Sequence, residues 1–291
     1  MKKSSLAILS LAALAIVILA LCLRYCPSST KARLPKGKAL TILHYNDTHS
    51  HFEPLRSGDE KGLGGTIERA AYIDSVRKAD GPENVLLLHA GDFSQGSPYF
   101  TKFGGDMEIE TMNAMGYDCV CLGNHEFDNG LEDLTRRLSM LKCPVVCSNY
   151  DFSSFEAGKY IKPYAIIERS GLKIGIFSLL TDVTRVISRE IADRLPKLDD
   201  IQVANKWADY LKNQEKCDIV IALTHIGYEG EALTDPILAE KSRNIDIIIG
   251  GHSHTFLEKM EYREDADKKK VPIVQDGCWG LYTGQVTYVK P

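Results

Sequence analysis

Five short polar motifs, each set directly after an apolar, strand-like run, constrain this chain more than any other feature. They are Asp47-Thr48-His49, Gly91-Asp92, Gly123-Asn124-His125-Glu126, Thr224-His225 and Gly250-Gly251-His252-Ser253-His254. The runs before them, 39–45, 85–89, 118–122, 218–223 and 245–249, read as strands, as do 144–147, 164–168, 173–179, 273–275 and 285–289. Helical periodicity falls at 64–77, 106–115, 131–141, 201–214 and 233–241. Strand–helix alternation favours parallel pairing. About ten strands against about five helices predicts two packed mixed sheets flanked by helices, a four-layer α/β/β/α sandwich. In α/β sheets ligands gather outside the carboxyl ends of the strands, where all these motifs lie.

The residue types in the motifs suit metal ions. Asp47 and His49 are two apart, so an extended backbone points both side chains the same way. Asp92 has two oxygens and can bridge two metals, although alone it reads equally as an Asx turn or helix cap. Asn124 offers a neutral carbonyl oxygen, an unusual ligand that is informative between Gly123 and His125. His225, His252 and His254 follow strands, and alternation puts His252 and His254 on one side. Asp128, three residues after His125, can orient and charge its imidazole, which could then stabilise phosphoryl charge or protonate a leaving oxygen. The plainer reading is a turn histidine with a capping Asp. His44 and His89 sit within strands and read as core or support, while His51 stays open. Singly these signals are weak; in series they predict a dinuclear hydrolase site, since so many buried polar groups would be costly without metals.

Two segments carry a family resemblance: Ile42-Leu43-His44-Tyr45-Asn46-Asp47-Thr48-His49-Ser50 and Tyr117-Asp118-Cys119-Val120-Cys121-Leu122-Gly123-Asn124-His125-Glu126-Phe127-Asp128. The chain resembles the catalytic domain of the 5′-nucleotidase family, within the calcineurin-like metallophosphoesterases, over residues 39–290. It departs from the signature at Tyr45, where Thr or Ile is usual. The resemblance implies that Asp47, His49, Asp92 and His254 hold one metal and Asp92, Asn124, His225 and His252 the other, with Asp92 bridging. It implies that His125, paired with Asp128, acts on the phosphoryl group or its leaving oxygen. Two such ions, ~3.5–4 Å apart, clamp a phosphate and acidify a water for in-line attack. Mn, Zn, Fe and Co all suit these ligands.

The activity so implied is metal-dependent hydrolysis of phosphate esters, with 5′-nucleotides as the expected substrates. The same centre would serve 2′,3′-cyclic-nucleotide phosphodiester or UDP-sugar cleavage, and a remoter alternative is a metal-containing binding protein without turnover. Family members that cleave nucleotides carry a carboxyl-terminal domain with stacking aromatics and arginines. Here the chain ends at Pro291, just after the last expected strand, so that nucleotide-binding domain is expected to be absent; either a separate chain supplies it, the favoured reading, or the substrates need little base recognition.

Composition limits the remaining readings. With 44% hydrophobic and 25% charged residues the chain is ordinary globular protein apart from its start. Lys2 and Lys3 precede Leu6 to Leu23, apolar except for Ser10, so residues 1–26 read as a signal peptide or membrane anchor and 27–38 as a linker. Export follows, to the periplasm or an anchored position facing outside the cytoplasm. Losing residues 1–26 removes Lys2, Lys3 and Arg24 and no acid, taking the formal charge from −4 to −7. That balance excludes a general nucleic-acid binder, which needs a basic face. Cys119 and Cys121 would face one side of their strand, either as buried thiols or bonded to a neighbouring strand; Cys-x-x-Cys zinc spacing is absent.

Overall fold

The structure, a computed structural model, describes residues 39–230 and 232–289. The expected leader 1–26 and linker 27–38 lie outside the described residues. The first half of the chain runs β1 (Ala39–Tyr45), α1 (Thr66–Asp80), β2 (Val85–His89), α2 (Pro98–Phe103), α3 (Asp106–Met115), β3 (Cys119–Cys121), α4 (Gly130–Met140), β4 (Val145–Val146) and β5 (Ile161–Lys162). The second half runs β6 (Tyr164–Arg169), β7 (Leu172–Leu180), α5 (Arg189–Ala192), α6 (Asp200–Asp209), β8 (Ile219–His225), α7 (Asp235–Lys241), β9 (Ile247–Ile249), β10 (Glu261–Glu264), β11 (Lys270–Val274) and β12 (Gly284–Val289). A π-helical turn at Tyr210–Gln214 continues α6, so the helix expected over 201–214 changes pitch near its end.

The strands form two mixed sheets, ordered β12-β1-β2-β3-β4-β5 and β10-β11-β9-β8-β7-β6. In the first, only β12 is antiparallel to its neighbour; in the second, β11, β9, β8 and β7 are parallel and the edge strands β10 and β6 antiparallel. Alternation along each strand sends side chains to two different cores. Leu40 and Ile42 of β1 and Leu86 and Leu88 of β2 meet Ile221, Leu223 and Ile249 between the sheets. Leu43 and Leu87, on the opposite face, pack with Ile73, Met112 and Leu134 of the helices outside the first sheet. Leu179 and Val220 pack with Val203 and Leu238 of the helices outside the second. The four layers are those expected from the excess of strands over helices.

Several short elements lie outside that expectation. β5 has two residues, β10 is mostly exposed, and α2 and α5 are too short for a helical period to register. Cys119 and Cys121 both face the core between the sheets, and all six described cysteines are free. No helix among the described residues is long and apolar enough to cross a membrane.

The two-sheet packing makes a specific demand on Ile221, which is fully buried, whereas Ile67 on α1 is 80% exposed. Ile221→Ala is expected to cost about 3 kcal/mol in urea unfolding, and Ile67→Ala no more than about 0.5 kcal/mol.

Candidate metal centre

All the motifs emerge at the carboxyl ends of their strands, and the backbone there is unusual. Asp47, His49, Asp92, His252 and His254 all have positive φ, between 46° and 84°. Non-glycine residues pay for this conformation, so it persists only where the surroundings over-determine it. Three hydrogen bonds do so at the first motif, from Asp47 N–H to Gly91 O (3.0 Å), His49 N–H to Asp92 O (3.1 Å) and Ser50 N–H to Phe93 O (3.1 Å). They carry the β1–β2 pairing past the strands and lock the first two motifs together. Gly91, at φ +85°, is required by space as well as conformation: a Cβ there would lie 2.7 Å from Gly123 N and from His225 Nδ1.

The side chains converge in two groups. Ligand atoms of Asp47, His49 and His254 lie within 4.8 Å of one another, and so do those of Asp92, His225 and His252. Asp92 Oδ2 is 3.0 Å from His225 Nε2 and 3.9 Å from His49 Nε2, so one oxygen faces both groups. His225 Nδ1–H donates to the Ala90 carbonyl at 2.7 Å, and His49 Nδ1–H to the Ser94 carbonyl at 3.3 Å. A carbonyl can only accept, so each ring keeps its proton on Nδ1 and turns Nε2 toward the centre.

Asp47 Oδ1, Asn124 Oδ1 and His225 Nε2 are buried there without a hydrogen-bond partner. Unpaired buried atoms of these types, beside two carboxylates, fit divalent cations of the borderline class. The protonation balance points the same way. Burial disfavours charge on His225, but the Asp92 and Asp47 carboxylates outweigh it and push the imidazole up to about 10. The Asp47 carboxylate, with Oδ1 3.4 Å from His254 Nε2, likewise pushes His254 up to about 10. The cluster therefore demands positive charge.

His125 stands slightly apart, half-buried, with Nδ1 2.9 Å from Asp128 Oδ2. That bond raises the pKa of the ring against its partial burial. The backbone N–H of His125 donates to Asp92 Oδ1 at 2.8 Å. Together with His49, Asp92, Asn124, His252 and His254 it lines an open cavity of about 500 Å³.

Comparison with known proteins agrees with this geometry. The family profile of the calcineurin-like phosphoesterases matches residues 40–256. The chain belongs to this family. It is 34% identical over 269 residues to human 5′-nucleotidase, covering 84% of this chain and 45% of that protein. Among solved structures it resembles the 5′-nucleotidase precursor of Thermus thermophilus (TM-score 0.78, 32% identity, 86% of this chain and 51% of that one). It also resembles the calcineurin-like phosphoesterase YfkN of Bacillus subtilis (TM-score 0.66, 29% identity, 86% and 84%). The chain spans about half the length of the 5′-nucleotidases of Diplobatis ommata and human that it matches.

Within this calcineurin-like phosphoesterase domain, two further residues shape the centre without standing out in the sequence. Asn46 donates to Asp47 Oδ2 (2.7 Å) and to the Gly277 carbonyl (2.6 Å), and its own oxygen accepts from Asp276 N–H (3.1 Å). Glu126 is fully buried and accepts from the N–H groups of Asp92 (2.8 Å), Ser94 (3.1 Å) and Gly123 (2.6 Å). Burial and the Asp92 charge push its carboxyl up to about 7, against the pull of Arg137, the Gly123 amide and His225. The only hint in the sequence was its place between His125 and Asp128. Of the remaining histidines, His44 and His89 are buried, His89 against the Thr48 hydroxyl at 3.1 Å, and His51 lines the cavity.

Glu126→Leu would leave three buried amides without an acceptor. It is expected to lower stability by about 3 kcal/mol in urea unfolding and to weaken Mn²⁺ binding by about tenfold in calorimetry.

Proposed function

We propose that this domain is a 5′-nucleotidase-like phosphoester hydrolase working with two divalent metal ions. The observation that carries the reading is the pair of ligand groups sharing Asp92 Oδ2, with three buried ligand atoms unpaired, in one cavity with His125. In this reading Asp47, His49, Asp92 and His254 would hold one ion, and Asp92, Asn124, His225 and His252 the other. When bound, such ions supply Lewis acidity to the phosphoryl oxygens and to the attacking water.

The chain's own groups do the rest. Carbonyl acceptors fix the His49 and His225 rings so that Nε2 faces inward. Asp128 orients His125 and favours its charged form. His125 then stabilises negative charge on the phosphoryl group or delivers a proton to the departing oxygen. We place the domain outside the cytoplasm on the strength of Lys2, Lys3 and the apolar run after them. We also propose that base recognition is shared with residues beyond this domain, on a further domain or a separate chain, in keeping with its half-length match to relatives.

Phosphate release from AMP, a 2′,3′-cyclic nucleotide and a UDP-sugar, compared after Mn²⁺ loading, tests the substrate class. AMP is expected to be hydrolysed fastest, chelation to abolish turnover and Mn²⁺ to restore it; turnover that survives complete chelation refutes the metal-dependent reading. His125→Asn is expected to lower kcat about a hundredfold with metal content unchanged. Unchanged turnover at full metal content would remove His125 from the chemistry.

A further inference from the structure

We propose that Trp279 is a stacking platform for the planar part of the substrate, a nucleobase or aryl group attached to the phosphate. This rests on the cavity being a phosphoester site and adds what that reading leaves open, a group in this domain that selects the leaving part. Trp279 lies on the segment 275–283, which crosses from β11 in one sheet to β12 in the other. It lines the same cavity of about 500 Å³ as His125 and His254, a size that suits a nucleotide.

The indole is held there by more than its own contacts. The backbone of Trp279 has φ 59°, and its amide N–H donates to the Asp47 carbonyl at 2.6 Å. The ring stacks on His51, with centroids 5.0 Å apart and planes 19° from parallel. His51 Nδ1–H in turn donates to the His49 carbonyl at 2.8 Å. Thus both layers of the stack hang from the two residues of the first metal motif. Gly280 lets the loop close over Arg69, because a Cβ there would come within 1.9 Å of the guanidinium.

A large apolar ring that stays 36% exposed on a strained backbone, beside so polar a centre, calls for a ligand that covers it. The phosphate would be drawn to the cations that the cluster holds. What the indole adds is a flat π-face, which binds any planar base and offers little to a sugar phosphate.

Trp207, on α6 in a cluster with Tyr164 and Tyr210, is the only other tryptophan in the sequence. Trp207→Phe therefore makes Trp279 the sole indole reporter in the full, Mn²⁺-loaded chain. A non-hydrolysable 5′-phosphonate analogue of AMP is expected to quench its fluorescence, and ribose 5-phosphate is not. In parallel, Trp279→Leu is expected to lower the ratio of kcat/KM for AMP to that for ribose 5-phosphate about tenfold through KM, with Trp279→Phe restoring most of it.

Loss of the same factor on both substrates, or no quenching at saturating phosphonate, overturns the proposal and leaves Trp279 a structural or docking residue. Quenching without hydrolysis of either compound refutes the hydrolase reading alone. Hydrolysis of both at equal efficiency without quenching refutes the platform alone.

Discussion

Two buried carboxylates set the terms for this domain. Asp47 and Asp92 are almost wholly removed from water, and both face His49 and His225. Charges so placed are costly unless each oxygen finds a donor or a cation. Asp47 Oδ2 takes the Asn46 amide and the His252 N–H, and Asp92 Oδ1 takes the His125 N–H. The other oxygen of each is turned toward the imidazoles. Burial opposes ionisation of Asp92, yet His225 overcomes it and holds the carboxyl well below the usual range. A proton on the rings is the smallest cation that meets this demand. A divalent ion would bring twice the charge to the same oxygens and, in displacing that proton, would take up the Nε2 lone pair it had occupied.

The same convergence ties the two sheets together. Asp47 and His49 follow β1 and Asp92 follows β2, all in the first sheet, while His225 ends β8 and His252 and His254 follow β9 in the second. Each ligand group therefore draws from both sides of the hydrophobic core between the sheets. The hydrogen bonds from His225 to Ala90 and from His252 to Asp47 cross the same seam. Ions bound there would bind the folded chain and not the unfolded one, so metal and fold stabilise each other. Glu126 serves the same end from the first sheet alone, holding the loops after β2 and β3 at a fixed separation.

Much of this was legible in the sequence because the signals were local. The apolar runs of β1 and β2, buried on both faces, mark their own limits, and the motifs that follow them name their chemistry by residue type. β10 escaped because its residues are mostly exposed and alternate no apolar face, and β5 because two residues carry no period. Glu126 and Asn46 escaped for another reason. Most of their hydrogen bonds reach backbone groups 32 to 231 positions away in sequence, and a pattern of residue types cannot encode those partners. Trp279 was silent in the same way, since its position depends on a crossing between sheets that only the strand order reveals.

This division has a consequence for how such a domain can vary. The candidate ligands sit on strand ends whose register is set by ladder hydrogen bonds, and a one-residue slip of β1 against β2 would turn the whole set the wrong way. Trp279 itself is tied to the centre by one backbone hydrogen bond and one ring stack, on a loop that Asn46 also holds through Asp276 and Gly277. The side chain at position 279 can change without disturbing the ladder, because the anchoring N–H is common to every residue but proline. In the proposed reading the ends of the strands would therefore fix how a phosphate is held, while position 279 on the crossing loop would be free to select what the phosphate is attached to.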